Sequence, residues 1–313
     1  MRVLVSAYPF LNPITVRNGI QFVYHPWNRK PRPEEIVEEV VGGGYDGLIA
    51  GTERIENAIA DQAKNLKVVS RVGSGLDNVD VEYFAARGVV TTYTPFGPVD
   101  AVAELVVGLM VAGLRRFRLH DARVRCGEWK RDFGGCIAGR RVGIVGFGRI
   151  GKRVAALLAP FRCKVLLHDI APDVATAHAM GLDFVPKEAL LRDVDILTLH
   201  VPLKPDTRDW LGHAELALCK EDVLIVNASR GGIVSDAAMV EFLRMRGKAY
   251  YCADVYSKEP YAGDLVGLEN TVLLPHVGAS TRESRLAMEV EALENCISVL
   301  SGKPCVNTVT ENL

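Results

Sequence analysis

Residues 142–169 constrain the fold of this chain more than any other stretch. They read VGIVGFGRIGKRVAALLAPFRCKVLLHD: an apolar run, the turn Gly146-Phe147-Gly148-Arg149-Ile150-Gly151, a helical pattern, and a second apolar run closed by Asp169. Strand, glycine turn, helix and strand make the first βαβ unit of a dinucleotide-binding sheet. Gly146 lets the chain turn out of the strand, Gly148 lets backbone approach a pyrophosphate, and Gly151 lets the helix pack closely on the sheet. The pyrophosphate then rests on free N–H groups at the positive end of the helix. Asp169 lies 18 residues after Gly151, where its carboxylate can accept hydrogen bonds from an adenosine ribose and repel a 2′-phosphate. Ile170 and Ala171 bring no cation to favour NADP, so the expected cofactor is NAD.

The length, 313 residues, allows about two domains. With 37 basic against 38 acidic residues, no charge imbalance draws the chain to nucleic acid or to a membrane surface. No apolar run approaches the ~20 residues of a spanning helix, and Arg2 opens into a strand pattern rather than a signal peptide. The seven cysteines are scattered and contain no C-x-x-C pair. A reduced, cytoplasmic setting is expected, without a disulfide framework or metal site.

Taken in order, Arg2–Ser6, Phe22–His25, Tyr45–Ala50, Lys67–Ser70 and Val89–Thr92 read as strands. Helical patterns at Glu34–Val41, Ile55–Lys64 and Val81–Ala86 lie between them, the signature of a small parallel α/β domain. Val99–Cys126 reads as one long helix, apolar on more than one face until Arg115, and is expected to lead into the nucleotide domain. Strands follow at Arg141–Val145, Val194–His200, Val223–Asn227, Ala249–Val255 and Thr271–Leu274, with helices near Asp173–Met180 and at Asp236–Met245. A last helix, Thr281–Leu300, starting from Ser280, returns the chain to the first domain. The expected fold is α/β with two doubly wound parallel sheets. A Rossmann NAD-binding domain (residues 98–282) is inserted in a smaller flavodoxin-like substrate domain (1–97 and 283–313).

Ligands of open α/β sheets bind off the carboxyl ends of the strands. The segments found there are Asn227–Gly232, Asp254 with Glu259-Pro260, and Pro275–Thr281. Arg230 offers a planar fork for a carboxylate. His276 titrates near neutrality and can give or take the proton at a carbonyl carbon that receives hydride. Glu259, hydrogen-bonded to the other ring nitrogen, favours the imidazolium and fixes the tautomer. Singly, each of these residues has a plainer reading as ion pair, helix cap or solvated turn; together at the ends of one sheet they form a catalytic set.

These segments, with Leu199-His200-Val201-Pro202-Leu203 and the upstream Arg71–Asp80 (RVGSGLDNVD), run in the order found in the D-isomer-specific 2-hydroxyacid dehydrogenases. The chain resembles that family over nearly its whole length, closest to the phosphoglycerate dehydrogenase branch. The resemblance implies Arg230 for substrate carboxylate and carbonyl, His276 as acid/base with Glu259 its partner, and Asp254 for the nicotinamide carboxamide. Ser74 and Gly75 present N–H groups to the substrate carboxylate, with Val72 and Gly73 in the same loop and Asn78 supporting it. For the cofactor it implies Gly146, Phe147, Gly148, Arg149, Ile150, Gly151, Asp169, Val201, Pro202, Thr207, Ala228, His276 and Gly278. His200 is expected to be structural, beside the nicotinamide ribose.

Ser74 stands where phosphite-oxidising relatives carry lysine, which argues against phosphite. Tyr8 and Phe10 either restrict the substrate side chain or merely pack. The nicotinamide is expected in a cleft between the domains. The resemblance implies a homodimer, without nucleic-acid or membrane partners; the apolar face of Val99–Leu114 and the Arg115–Arg125 extension offer an interface, though burial within the chain explains them as well. Ending at Leu313, it is expected to lack the regulatory domains of longer phosphoglycerate dehydrogenases. Two other functions stay open: a non-catalytic NAD-sensing module of the same fold, and a dehydrogenase for an unusual hydroxy acid such as a phosphonate.

Overall fold

The computed structural model describes residues 1–309; residues 310–313, the end of the expected first domain, lie outside the described residues. In chain order the first segment holds β1 (Arg2–Val5), β2 (Val16–Arg17), β3 (Ile20–Tyr24), α1 (Pro33–Gly43), β4 (Gly47–Ala50), α2 (Ala58–Gln62), β5 (Val68–Arg71), α3 (Val81–Ala85) and β6 (Val90–Thr92). The middle begins with α4 (Val99–Leu114), α5 (Phe117–Arg125), β7 (Arg141–Val145), α6 (Arg149–Leu158), β8 (Lys164–His168), α7 (Val174–Ala179), β9 (Asp183–Phe184) and α8 (Lys187–Asp193). It continues with β10 (Ile196–Leu199), α9 (His213–Leu218), β11 (Leu224–Asn227), α10 (Asp236–Met245), β12 (Tyr250–Ala253) and β13 (Thr271–Leu273); α11 (Arg282–Leu300) closes the chain. Two compact units result, residues 1–98 with 279–313, and residues 99–278.

The first unit is a six-stranded sheet in the order β2-β3-β1-β4-β5-β6, parallel except for β2. Without the short β2 the order is that of a flavodoxin-like sheet. Alternation along β1 assigns its two faces: Val3 and Val5 pack with Met288, Ala292, Leu293 and Ile297 of α11, whereas Leu4 packs with Ile36, Val40, Ile59 and Phe84 of α1–α3. The second unit is an all-parallel seven-stranded sheet, β13-β12-β11-β10-β7-β8-β9, the Rossmann order. Val142 and Ile144 face α4 and α6; Leu197, Leu199 and Ile225 face α8–α10. The expected doubly wound α/β class is observed in both units.

Several expectations change in detail. The helix expected over Val99–Cys126 is two helices, because Arg116 takes a left-handed conformation (φ 51°). Of the two explanations open for the apolar face of α4, the structure takes burial inside its own unit, through Val102, Val106, Leu109 and Met110. The helix expected over Ile55–Lys64 shrinks to α2, and α11 is capped by Thr281, whose Oγ1 accepts from Ser284 N–H at 3.1 Å, rather than by Ser280. The first unit resumes at Ala279, ahead of residue 283: Asp254 holds the Gly278 N–H, while Ala279 packs on the core around α11. Among the described residues no helix is long and apolar enough to cross a membrane.

Candidate active site

The glycine turn follows β7. A Cβ on Gly151 would lie 2.0 Å from the Gly146 carbonyl oxygen, and one on Gly146 2.5 Å from the His200 carbonyl oxygen. These two glycines let three backbone segments meet, and Gly146 also needs φ 90°. Gly148 differs: a Cβ there would meet nothing within 4 Å. It opens α6 with no side-chain cap, so helix N–H groups face a space without a side chain, a cradle that fits a pyrophosphate. Asp169, just after β8, accepts from Phe147 N–H at 2.6 Å and Ala171 N–H at 2.8 Å. Each carboxylate oxygen retains a lone pair for a ribose hydroxyl. These residues fit NAD.

Phe147 itself is buried and meets Phe184 edge-on at 5.7 Å; its side chain belongs to the core. Arg149 and Ile150 begin α6. Val201 packs beside Gly146, and Pro202 begins a turn closed by Thr207, whose Oγ1 donates to the Pro202 carbonyl (2.6 Å) and accepts from Lys204 N–H (2.7 Å). Ala228 is buried after β11. His200, at the end of β10, shares a 3.0 Å hydrogen bond between Nε2 and Thr198 Oγ1, while its buried Nδ1 lacks a partner among the described residues. Burial pushes this imidazole down to about 3, so it is neutral at pH 7.

The catalytic candidates stand on neighbouring strand exits of this same unit. Asn227 ends β11 almost wholly buried. Its Oδ1 accepts from the Ser229 N–H (3.1 Å) and hydroxyl (2.8 Å), and its Nδ2 donates to the Arg230 carbonyl (3.1 Å). The turn bearing Arg230 is therefore wound around one buried amide, and the Arg230 guanidinium donates to the Ser229 carbonyl at 2.7 Å. After β12, buried Asp254 accepts from Val277 N–H (2.8 Å) and Gly278 N–H (2.7 Å), and its carbonyl accepts from His276 N–H (2.9 Å). Burial raises its carboxyl pKa, and the two N–H donors act against that shift. These bonds hold His276 at φ 55°, a left-handed conformation that costs a non-glycine residue about 1–3 kcal/mol. The His276 ring is half exposed, with Nδ1 2.9 Å from Glu259 Oε2. Glu259 is itself oriented by Tyr256 N–H, 3.2 Å from Oε1.

In the first unit, Val72 and Gly73 are buried after β5, and Gly73 N–H donates to Thr94 Oγ1 at 2.6 Å. The following N–H groups, of Ser74 and Gly75, have no protein acceptor among the described residues. Asn78 Nδ2 donates to the Gly51 (3.1 Å) and Glu53 (2.5 Å) carbonyls, anchoring the far end of this loop. Phe10 packs edge-on to Tyr24 at 5.5 Å, whereas Tyr8 is exposed beside His25.

Sequence reasoning did not single out Asn227 and Tyr256 individually, and it gave Asp254 no part in shaping the His276 loop. A buried polar residue at a strand end was the available signal. Among the described residues no cluster of three or more His, Cys, Asp or Glu side chains is placed to hold a metal ion.

Residues 107–278 match the NAD-binding domain of the D-isomer specific 2-hydroxyacid dehydrogenases. A glyoxylate reductase of Thermococcus litoralis is 34% identical over 272 residues, 84% of this chain and 82% of that protein. A D-3-phosphoglycerate dehydrogenase of Archaeoglobus fulgidus is 34% identical over 281 residues, 88% of this chain but 53% of the relative, so the chain spans about half of that protein's length. Among solved structures, the TT0316 protein of Thermus thermophilus superposes with a TM-score of 0.87 at 32% identity, covering 99% of this chain and 100% of that one. The chain therefore belongs to the D-isomer specific 2-hydroxyacid dehydrogenase family of NAD-dependent oxidoreductases, with residues 107–278 as its NAD-binding domain.

Proposed function

We propose that the chain interconverts a small D-2-hydroxy acid and its 2-oxo acid. The observation that carries this reading is the His276–Glu259 pair at 2.9 Å, held on the same sheet edge as Arg230 and in the same unit as the glycine turn. Bound at that turn and at Asp169, NAD supplies or accepts the hydride. Arg230 binds the acid's carboxylate and polarises its carbonyl. His276 gives its proton to the carbonyl oxygen in the reducing direction and takes it back in the other. Glu259 stabilises the imidazolium and fixes the ring through Nδ1, which leaves Nε2 for the substrate. In the first unit, the Ser74 and Gly75 N–H groups are assigned to the carboxylate. Asp254 is assigned to the nicotinamide carboxamide in addition to its loop contacts.

The substrate class follows the names of the relatives, glyoxylate reductase and D-3-phosphoglycerate dehydrogenase; a phosphonate acid belongs in the same assay. A homodimer in the cytoplasm completes the proposal. Its interface is assigned to α5, which buries no residue of its own, together with exposed Trp129 and Phe133.

A panel of 2-oxo acids, phosphorylated and phosphonylated members included, assayed for NADH oxidation tests the reading. His276→Ala should cut turnover about 100-fold or more while NAD affinity holds. Turnover on no acid, with NAD still bound, would favour a sensor instead.

A further inference from the structure

We infer that Tyr256 is a positioning residue that ties the three catalytic strand exits of the nucleotide unit together. Its backbone N–H donates to Glu259 Oε1 at 3.2 Å, the carboxylate whose other oxygen meets His276. Its hydroxyl lies 2.9 Å from the Leu274 carbonyl, two residues before His276, and 3.2 Å from the Ala253 carbonyl, the residue before Asp254. Its own carbonyl sits against Gly231, next to Arg230, so closely that a Cβ there would lie 1.7 Å from the oxygen. One residue thus touches the exits of β11, β12 and β13.

Its ring is held in place as well. Tyr256 is 7% exposed and stacks on Tyr261 at 4.4 Å with 22° between the planes. The Ala253 carbonyl also accepts from Leu274 N–H at 2.8 Å, so losing the hydroxyl falls chiefly on the Leu274 carbonyl. That carbonyl belongs to the segment leading into the strained His276. The hydroxyl sets where Leu274-Pro275-His276 leaves the sheet, and the backbone N–H sets where Glu259 waits for it. Glu259 and Asp254 are the two carboxylates that face His276 from the loop after β12. If the exit shifts, the His276 ring loses part of its alignment with Glu259 and with the oxygen it serves. A misplacement of about 1 Å can cost up to roughly 100-fold in rate; a tethered loop should shift less.

This inference rests on the catalytic roles proposed for His276 and Glu259, and its test separates the two. Tyr256→Phe keeps the stacked ring and removes only the hydroxyl. With a 2-oxo acid that the parent enzyme reduces, kcat should fall about tenfold, with KM and NAD affinity near parental values. The pH–rate profile should change with it, because His276 and its partner Glu259 no longer meet as in the parent. In parallel, the His276 imidazole is titrated by NMR in the parent and in Y256F. If the parent reduces no acid, the catalytic reading fails, and this titration alone still judges Tyr256. Tyr261→Phe, which removes a neighbouring phenol from the same stacked pair, is the control and should leave the titration unmoved. An unchanged His276 titration in Y256F overturns the inference, as does an equal shift in Y261F, since either result leaves Tyr256 a packing residue only.

Discussion

Between β7 and α6 the turn is shaped by what its glycines lack; between β11 and α10 a side chain, Asn227, does most of the shaping, with one tight glycine, Gly231, beside it. The first turn closes because no Cβ stands at Gly146 or Gly151, where backbone oxygens come within 2.0–2.5 Å of the missing atom. The second closes around one buried amide, which holds the Ser229 N–H, the Ser229 hydroxyl and the Arg230 carbonyl, with Gly231 leaving room beside it for the Tyr256 carbonyl. A turn made by backbone contact tolerates almost no substitution at the glycines in contact. A turn made by a side-chain network depends on each of its hydrogen bonds, and its failure is felt first by the residue it presents, Arg230.

The largest expected effect contrasts the glycines themselves. In a helix, alanine is ordinarily better than glycine by about 1 kcal/mol. At Gly151 the contact with the Gly146 carbonyl outweighs that gain, because neither partner is a flexible side chain. Gly151→Ala should cost about 3 kcal/mol of stability and weaken NAD binding at least roughly tenfold. Gly148→Ala, entering open space, should change stability by about 0.5 kcal/mol yet weaken NAD comparably, since the added methyl stands where a pyrophosphate approaches. Thermal melts with calorimetric NAD titrations check both. Equal losses of stability in the two variants would erase the distinction between a turn shaped by its backbone and one shaped for its ligand.

The side-chain-built turn should fail differently. Asn227→Ala strips partners from the Arg230 carbonyl, from Ser229 and from the buried Tyr251 hydroxyl, which also bonds this amide. About 2 kcal/mol of stability should go. KM for the oxo acid should rise roughly tenfold as the Arg230 fork loses its aim. NAD affinity should hold, because the glycine turn does not depend on Asn227. Steady-state kinetics beside an NAD titration decides; weaker NAD binding at unchanged KM would place Asn227 with the cofactor rather than with Arg230.

That same division explains what could be read from the residues alone. Buried strands announce themselves as short apolar runs, and backbone-made turns as glycines at fixed spacing. Thus β7, α6, β8 and Asp169 were legible, as was the set of ionisable residues at the sheet edge. Nothing in Arg115-Arg116 marks a helix break: both residues favour helix, yet Arg116 turns left-handed and the Leu114 carbonyl accepts from the distant Gly135 N–H at 2.9 Å. The short α8, α9 and β9 carry too few residues for a period to show. The reach of Asn227 and Tyr256 lies in contacts between segments distant in sequence, where residue type alone gives no partner.

His200 stands on both sides of the comparison, and it carries the smallest of the expected effects. Its backbone carbonyl is the atom that excludes a side chain at Gly146. Its imidazole is a side-chain element, bonded to Thr198 through Nε2 and shut away at Nδ1. Burial holds the folded pKa at about 3, well below the roughly 6.5 of an unfolded histidine. The unfolded chain therefore takes up this proton first as pH falls. Stability contributed by the neutral ring is present above about pH 6.5 and is progressively lost below it. Between roughly pH 7 and 5.5 the loss should come to about 1 kcal/mol, read by urea unfolding at each pH. His200→Gln, which keeps a polar side chain but cannot titrate, should flatten the slope by that amount while leaving the Gly146 turn in place, because the backbone carbonyl remains. A variant with the parental slope would mean that the imidazole reaches water in the folded protein. A flattened slope together with lost NAD binding would mean that the ring, and not only its carbonyl, shapes the glycine turn.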